Sequence, residues 1–308
     1  MGRAFSGGAG RGRFTGGVAP PLKARPKKFS FTEIETLRRD PYAIYARHVL
    51  KLLPLEPLLR DPSAAERGTL FHLVLSRFTE KCPDTASPDA EPLLRAAAES
   101  AFAEADLPPD VRAVWWPRFL ASIAPVLSWE RHERAAAEHR LAEVRAEPFA
   151  IGDTGVTLSG IADRIDLLAA GYADILDYKT GSSPSKAQAH TLVAPQLALE
   201  GALLMRGAFK NLGKLQPAQL AYVRLKANGE VIEESILEAG RLRRSPVELS
   251  NDAWRRLNEL LHHYADPRRG YLSRALPFRE GEMEGDYDHL ARVLEWSAGS
   301  EDDLGELE

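Results

Sequence analysis

A single cysteine, Cys82, serves the whole chain of 308 residues. That scarcity excludes an intrachain disulfide, a four-thiolate zinc site and an all-cysteine iron–sulfur cluster, and it suits a reducing cytoplasm. Long apolar runs are lacking as well. Nothing approaches the roughly 20 consecutive residues needed to cross a bilayer, and the first residues hold no short apolar core of a secretory signal. The phosphate-loop pattern GxxxxGK[ST] occurs nowhere, so no ATP site of that type is expected. Net charge is small, at −4, but its distribution is uneven: residues 1–30 carry seven Lys/Arg and no Asp/Glu, whereas 301–308 read EDDLGELE.

At 44% hydrophobic residues the chain can bury a substantial core. Residues 1–28 are expected to form a flexible, basic, Gly-rich segment, either a plain linker or an arm touching backbone phosphates. Residues 29–296 read as the structured domain and 297–308 as an acidic tail. Within the domain, 29–138 is mainly helical. Ser30 or Thr32 can cap the first helix, which Pro41 interrupts. Arg38, Arg39, Arg47, His48 and Lys51 on that helical pair form either a solvated face or a contact with a nucleic-acid backbone. RGTLFHLVLSRFTE predicts a helix over 64–79, with His72 at the edge of its apolar side. Trp115, Trp116, Phe119 and Trp129 follow at helical spacings suited to packing.

From His139 the period shortens to that of strands. HRLAEVRAEPFAIG, VTLSGIADRIDLLA and YADILDYKTG are separated by turn residues, with a hairpin turn at Ala169–Gly171. A helix over 193–204, a strand over 220–226, an Asn228-Gly229 turn into VIEESIL and a helix over 252–264 complete the core, and DYDHLARVLEW closes it. The expected class is α/β: a central mixed sheet flanked by helices, with a helical N-terminal section.

The chemistry concentrates between Gly160 and Lys179. In ILDYKTG, Asp177 and Lys179 are two residues apart and share a strand face, while Leu176 and Tyr178 point to the opposite, buried side. The hairpin sets Asp163 beside Asp177. Two adjacent carboxylates repel unless a proton or a cation joins them, and a hard divalent ion such as Mg²⁺, with Mn²⁺ as an alternative, fits such an oxygen-rich place. Lys179 can then stabilise charge growing on an attacked phosphate or orient the water. Glu143 and Glu147 compete as a further ligand or water-positioning group. Asp166 falls on the other strand face, suited to pairing with Arg164 or Arg224. Gln196 and Glu200 lie one helical turn apart on one face, and His72 is either a hydrogen-bonded histidine or a ligand.

The ordered array RGTLFH (67–72), EVR (143–145), GIADRID (160–166), DYKTG (177–181) and PQLALE (195–200) resembles the RecB-type nuclease module of the PD-(D/E)XK nucleases, with their restriction-endonuclease-like core. Together with RRDPYAIYARHVLKL and GDYDHLARVLEW it is similar to the C-terminal nuclease domain of the AddB family, from about Phe29 to Trp296. The resemblance implies a Mg²⁺-dependent deoxyribonuclease, exonuclease in type, acting on single-stranded ends during double-strand break processing and recombinational repair. It assigns the metal to His72, Asp163, Asp177 and the Tyr178 carbonyl, and catalysis to Asp163, Asp177, Lys179, Glu143 and Gln196. It favours Glu143 over Glu147. It also implies an AddA-type helicase–nuclease subunit as partner, and a cytoplasmic, nucleoid-associated setting in a bacterium.

Two positions depart from the family. Glu200 stands where the helix that begins at Gln196 carries a tyrosine, and Asp40 stands where many members place a cluster cysteine. No iron–sulfur cluster is expected, and the two ends of the domain are expected to join by ordinary packing. The large helicase-like region of AddB is absent, so the sequence reads as a fragment or a free-standing homologue. Alternative functions are a noncatalytic DNA-binding scaffold with a nuclease fold and a Cas4-like free exonuclease.

Overall fold

The computed structural model describes residues 17–54, 63–191, 193–276 and 285–293. Residues 1–16, 55–62, the end of the closing segment at 294–296 and the acidic tail lie outside the described residues. The arm expected to run to residue 28 is instead seated on the domain from residue 17 onward. Val18 bridges to Tyr271, and Arg25 is buried, donating to main-chain carbonyls of Tyr264, Asp266, Pro267 and Arg269.

A short strand, β1 (Lys28–Ser30), leads into α1 (Phe31–Arg39). Ser30 caps α1 with a reciprocal capping box to Glu33, and α2 (Pro41–Ile44) begins on its proline before a π turn over Tyr45–Val49. The cationic residues here are only partly a solvated face, since Arg39 is buried against Glu35 at 2.9 Å and His48 meets Glu33 at 2.7 Å. Three helices follow: α3 (Ala64–Lys81), α4 (Ala90–Glu104) and α5 (Pro109–His132). Their aromatics pack together, Phe71 and Phe119 edge to face at 5.0 Å.

The sheet is built from β2 (His139–Ala150), β3 (Thr157–Leu167), β4 (Tyr172–Lys179), β5 (Gln216–Leu225) and β6 (Val231–Ser235) with β1. Its order is β1-β3-β4-β5-β6, and β2 also pairs with β3. β1–β3 and β4–β5 are parallel and the rest antiparallel, which makes the sheet mixed as expected. Ala170 makes the β3–β4 turn with a left-handed backbone, φ 59°. The short α6 (Lys186–Ala189) and α7 (Gln196–Arg206) follow β4. A small hairpin, β7 (Glu238–Ala239) with β8 (Leu242–Arg243), precedes α8 (Pro246–Ala265).

Helices cover both faces of the sheet. One apolar core joins α1, α7 and α8 to Ile165 and Ile175, and the other joins α3, α4 and α5 to Leu176 and Tyr178. Both faces of β4 are therefore buried, including the Asp177 side, because α7 lies over it. Gly160 allows α1 its close approach: a Cβ there would stand 2.3 Å from the Phe31 ring.

The two ends of the domain are stitched by hydrogen bonds as well as packing. Asp40 is buried and accepts from the Arg274 main-chain N–H at 3.2 Å, Leu276 N–H donates to the Arg39 carbonyl at 3.0 Å, and the Tyr287 hydroxyl donates to the Leu52 carbonyl at 2.9 Å. Within 285–293 the closing segment is mostly turns.

Candidate active site

The site lies where β3 and β4 part. Their ladder runs from Leu167–Ala173 to Arg164–Leu176. Beyond it Asp163 turns its carboxylate into the gap and accepts the main-chain N–H of Tyr178 at 3.0 Å. His72, reaching in from α3, places Nδ1 3.2 Å from the same Asp163 oxygen. Burial opposes ionisation of Asp163, but the hydrogen bond and charge of His72, with Lys179 and the Tyr178 amide, hold its pKa below the ordinary carboxylate value. Burial likewise works against the imidazolium of His72. Asp163 and Asp177 outweigh it and raise the histidine's pKa.

Asp177 is 1% exposed. Its burial, with Asp163 adding repulsion, lifts its pKa to about 6 even though Lys179 pulls the other way. Lys179 closes on Oδ2 as an ion pair, and its ammonium stands 5.6 Å above the Tyr222 ring. Oδ1 accepts from Gln196 Nε2 at 2.9 Å. The same amide nitrogen donates to Glu200 Oε1 at 3.1 Å, so one side chain bridges two buried carboxylates. The Tyr178 side chain faces the opposite core, where its hydroxyl accepts from Arg164 at 3.1 Å. Burial, offset in part by Arg164, pushes this phenol up to about 12.

Glu143 faces Asp163 across the β2–β3 ladder, between the pairs Ala142–Arg164 and Val144–Ala162. Its backbone is left-handed, φ 51°, which costs about 1–3 kcal/mol for a residue with a Cβ. Burial and the Asp163 charge raise its pKa. Glu147, its rival, sits in the bulge farther along β2, where its N–H donates to the Ala208 carbonyl at 2.9 Å. The fold thus gathers His72, Glu143, Asp163, Asp177, Tyr178, Lys179 and Gln196 and leaves Glu147 aside. Asp166 pairs with Arg164 at 2.6 Å, whereas Arg224 turns to Glu234 at 2.8 Å.

Glu200 had been legible only as the partner of Gln196 on one helix face. It is fully buried, and burial, reinforced by Asp177 and Asp163, raises its pKa well above the ordinary value. Its Oε2 is buried without a hydrogen-bond partner, whereas the buried Oδ2 of Asp177 is held by the Lys179 ammonium alone.

Among the described residues no three His, Cys, Asp or Glu side chains form a ready metal-ligand cluster. A Mg²⁺ ion does not require one, since it is bound through one or two carboxylates and keeps several waters. The donor set fits such an ion: two carboxylates side by side at a strand end that also offers main-chain oxygens, beside a buried Glu200 oxygen that lacks a hydrogen-bond partner.

Known proteins bear on this arrangement. An uncharacterized protein of Rickettsia bellii is 26% identical over 185 residues, 60% of this chain and 22% of that protein. The uncharacterized protein RT0391 of Rickettsia typhi is 26% identical over 209 residues, 65% of this chain and 24% of its own length. The matched region thus spans about a quarter of these curated relatives. The crystal structure of SSO0001 overlaps 77% of this chain and 75% of its own at 13% identity, with a TM-score of 0.31. Residues 28–282 match the PD-(D/E)XK nuclease superfamily, whose members are typically metal-dependent nucleases, and by that match the chain belongs to this superfamily.

Proposed function

We propose that the chain hydrolyses phosphodiester bonds of single-stranded DNA with the help of Mg²⁺, Mn²⁺ being the natural substitute. The observation that carries this reading is the convergence of Asp163, Asp177 and Lys179 on the parted ends of β3 and β4. Asp163, Asp177 and the Tyr178 carbonyl would hold the ion. With Nδ1 directed at Asp163, the neutral imidazole of His72 would present Nε2 as its lone-pair nitrogen. When bound, the ion lowers the pKa of water and polarises phosphoryl oxygens.

The remaining work belongs to the side chains. Lys179 sets a fixed positive charge where negative charge grows on the phosphate. Gln196 holds Asp177 in one rotamer by donating to Oδ1. Glu143, strained toward Asp163, orients the attacking water.

The wider setting belongs to the same proposal: an AddB-type nuclease domain over 29–296, working with an AddA-type helicase–nuclease subunit in processing broken DNA ends, exonucleolytically and in the cytoplasm at the nucleoid. That the match covers about a quarter of each Rickettsia relative agrees with a nuclease module carried by a longer protein. No described helix is long and apolar enough to cross a membrane.

The test compares wild type with Asp177→Ala on end-labelled single- and double-stranded DNA with Mg²⁺, Mn²⁺ or chelator, alone and with a helicase partner. Metal-dependent cleavage by wild type, lowered at least about 100-fold in the variant, is expected. Equal cleavage by both proteins would sink the assigned site. DNA binding without cleavage would leave a scaffold.

A further inference from the structure

Two arginines near the site differ from those of the buried charge network. Arg134, Arg140 and Arg164 each meet carboxylates. Arg67 and Arg118 make no ion pair with a carboxylate among the described residues. Arg67 sits in the first turns of α3, one turn before Phe71, and Arg118 precedes Phe119 on α5. The edge-to-face contact of Phe71 with Phe119 brings these stretches together at one helix junction. Burial, and the like charge of Arg118, lower the Arg67 pKa.

The junction lies against the site. Arg67 Nη2 donates at 3.4 Å to the carbonyl of Thr180, the residue that follows Lys179. Gly68 packs on the same loop, where a Cβ would stand 3.3 Å from Thr180 Oγ1. Two neighbouring guanidinium groups without an anion repel. A phosphodiester offers each of them acceptor oxygens in the fork geometry that arginine matches.

We propose that Arg67 and Arg118 form a backbone-phosphate subsite that holds a single DNA strand beside the bond to be cut. It rests on the nuclease reading for its ligand, yet binding alone can test it. The experiment measures the affinity of a fluorescent single-stranded oligonucleotide by anisotropy in chelator across a salt series. It uses wild type, Arg118→Ala, Arg118→Lys and the Arg67→Ala/Arg118→Ala double variant, with thermal midpoints taken in parallel. Each lost phosphate contact flattens the slope of log K against log salt by about 0.7. Arg118→Ala is expected to weaken binding several-fold and flatten the slope by about that amount, the double variant by about twice as much, and Arg118→Lys to keep the slope.

Wild-type affinity and slope in Arg118→Ala, which alters an exposed side chain and should leave the fold intact, would overturn the subsite even if the protein cleaves DNA. Weakened binding by a protein that cuts no DNA would instead overturn hydrolysis and leave the subsite standing.

Discussion

The two faces of the β3–β4 hairpin carry buried charge in opposite ways. On one, Arg134, Arg140 and Arg164 meet Glu130, Asp166, Asp174 and Glu233 in a closed network. Trp129 joins it by donating to Glu233 at 3.0 Å and by lying under the Arg164 guanidinium at 5.2 Å. On the other, Asp163, Asp177 and Glu200 share His72, Lys179 and one glutamine amide, and the buried Glu200 Oε2 lacks a hydrogen-bond partner. Both sets come from adjacent positions of the same strands. Low dielectric makes a complete network rigid and an incomplete one costly. The first therefore serves as an anchor for α5, and the second stores electrostatic repulsion that a cation can relieve.

That contrast can be broken by substitution, and the largest effect is expected at the anchor. Arg164→Ala leaves Glu130 and Asp166 short of a partner and should cost about 3–5 kcal/mol in urea unfolding. A loss below about 1 kcal/mol would show the network to be ornamental. Asp177→Asn should do the reverse in chelator, stabilising the fold at pH 8 by about 1–3 kcal/mol. The sign follows from the raised pKa: the folded state holds a proton that the unfolded state gives up, so stability falls as pH rises from about 4 through about 6. The variant should lack that fall, and denaturation curves at pH 4 and 8 would reveal it.

Gly160→Ala sharpens the comparison from outside both sets, since the new methyl must displace the Phe31 ring. A loss of about 1–3 kcal/mol is expected, and Phe31→Leu in the same chain should recover part of it. Glu200→Gln is expected to stabilise the fold at neutral pH, a gain that fades in acid, because the carboxyl's raised pKa makes its ionisation destabilising above the ordinary value. Unchanged stability at both pH values would mean that Glu200 reaches solvent.

The strands of the site were legible because alternation writes them directly. GIADRID and DYKTG stand where expected, and Asp166 pairs with Arg164 as the strand period required. The polar alternation of β5 concealed its first residues, so the strand begins at Gln216 rather than Leu220. α8 starts at Pro246 rather than Asp252, on the capping box of Ser245 with Glu248. α7 starts at Gln196, three residues after the expected point.

What no local pattern could give was depth. The strand period set Asp177 opposite the buried Leu176 and Tyr178, but that α7 buries Asp177 and Glu200 together is a consequence of helix placement. The seating of Arg25 was equally invisible, since four of its five acceptors lie near residue 266, far along the chain.

That guanidinium also fixes an order of events during synthesis. Arg25 lacks its distant carbonyls until the ribosome has delivered residues 264–269, and β1 cannot join the sheet before β3 exists. The segment before β1 is therefore among the last parts of the described chain to be seated. A nascent chain stalled before residue 264 would carry its catalytic strands with the segment around Arg25 still unseated, open to chaperones and proteases.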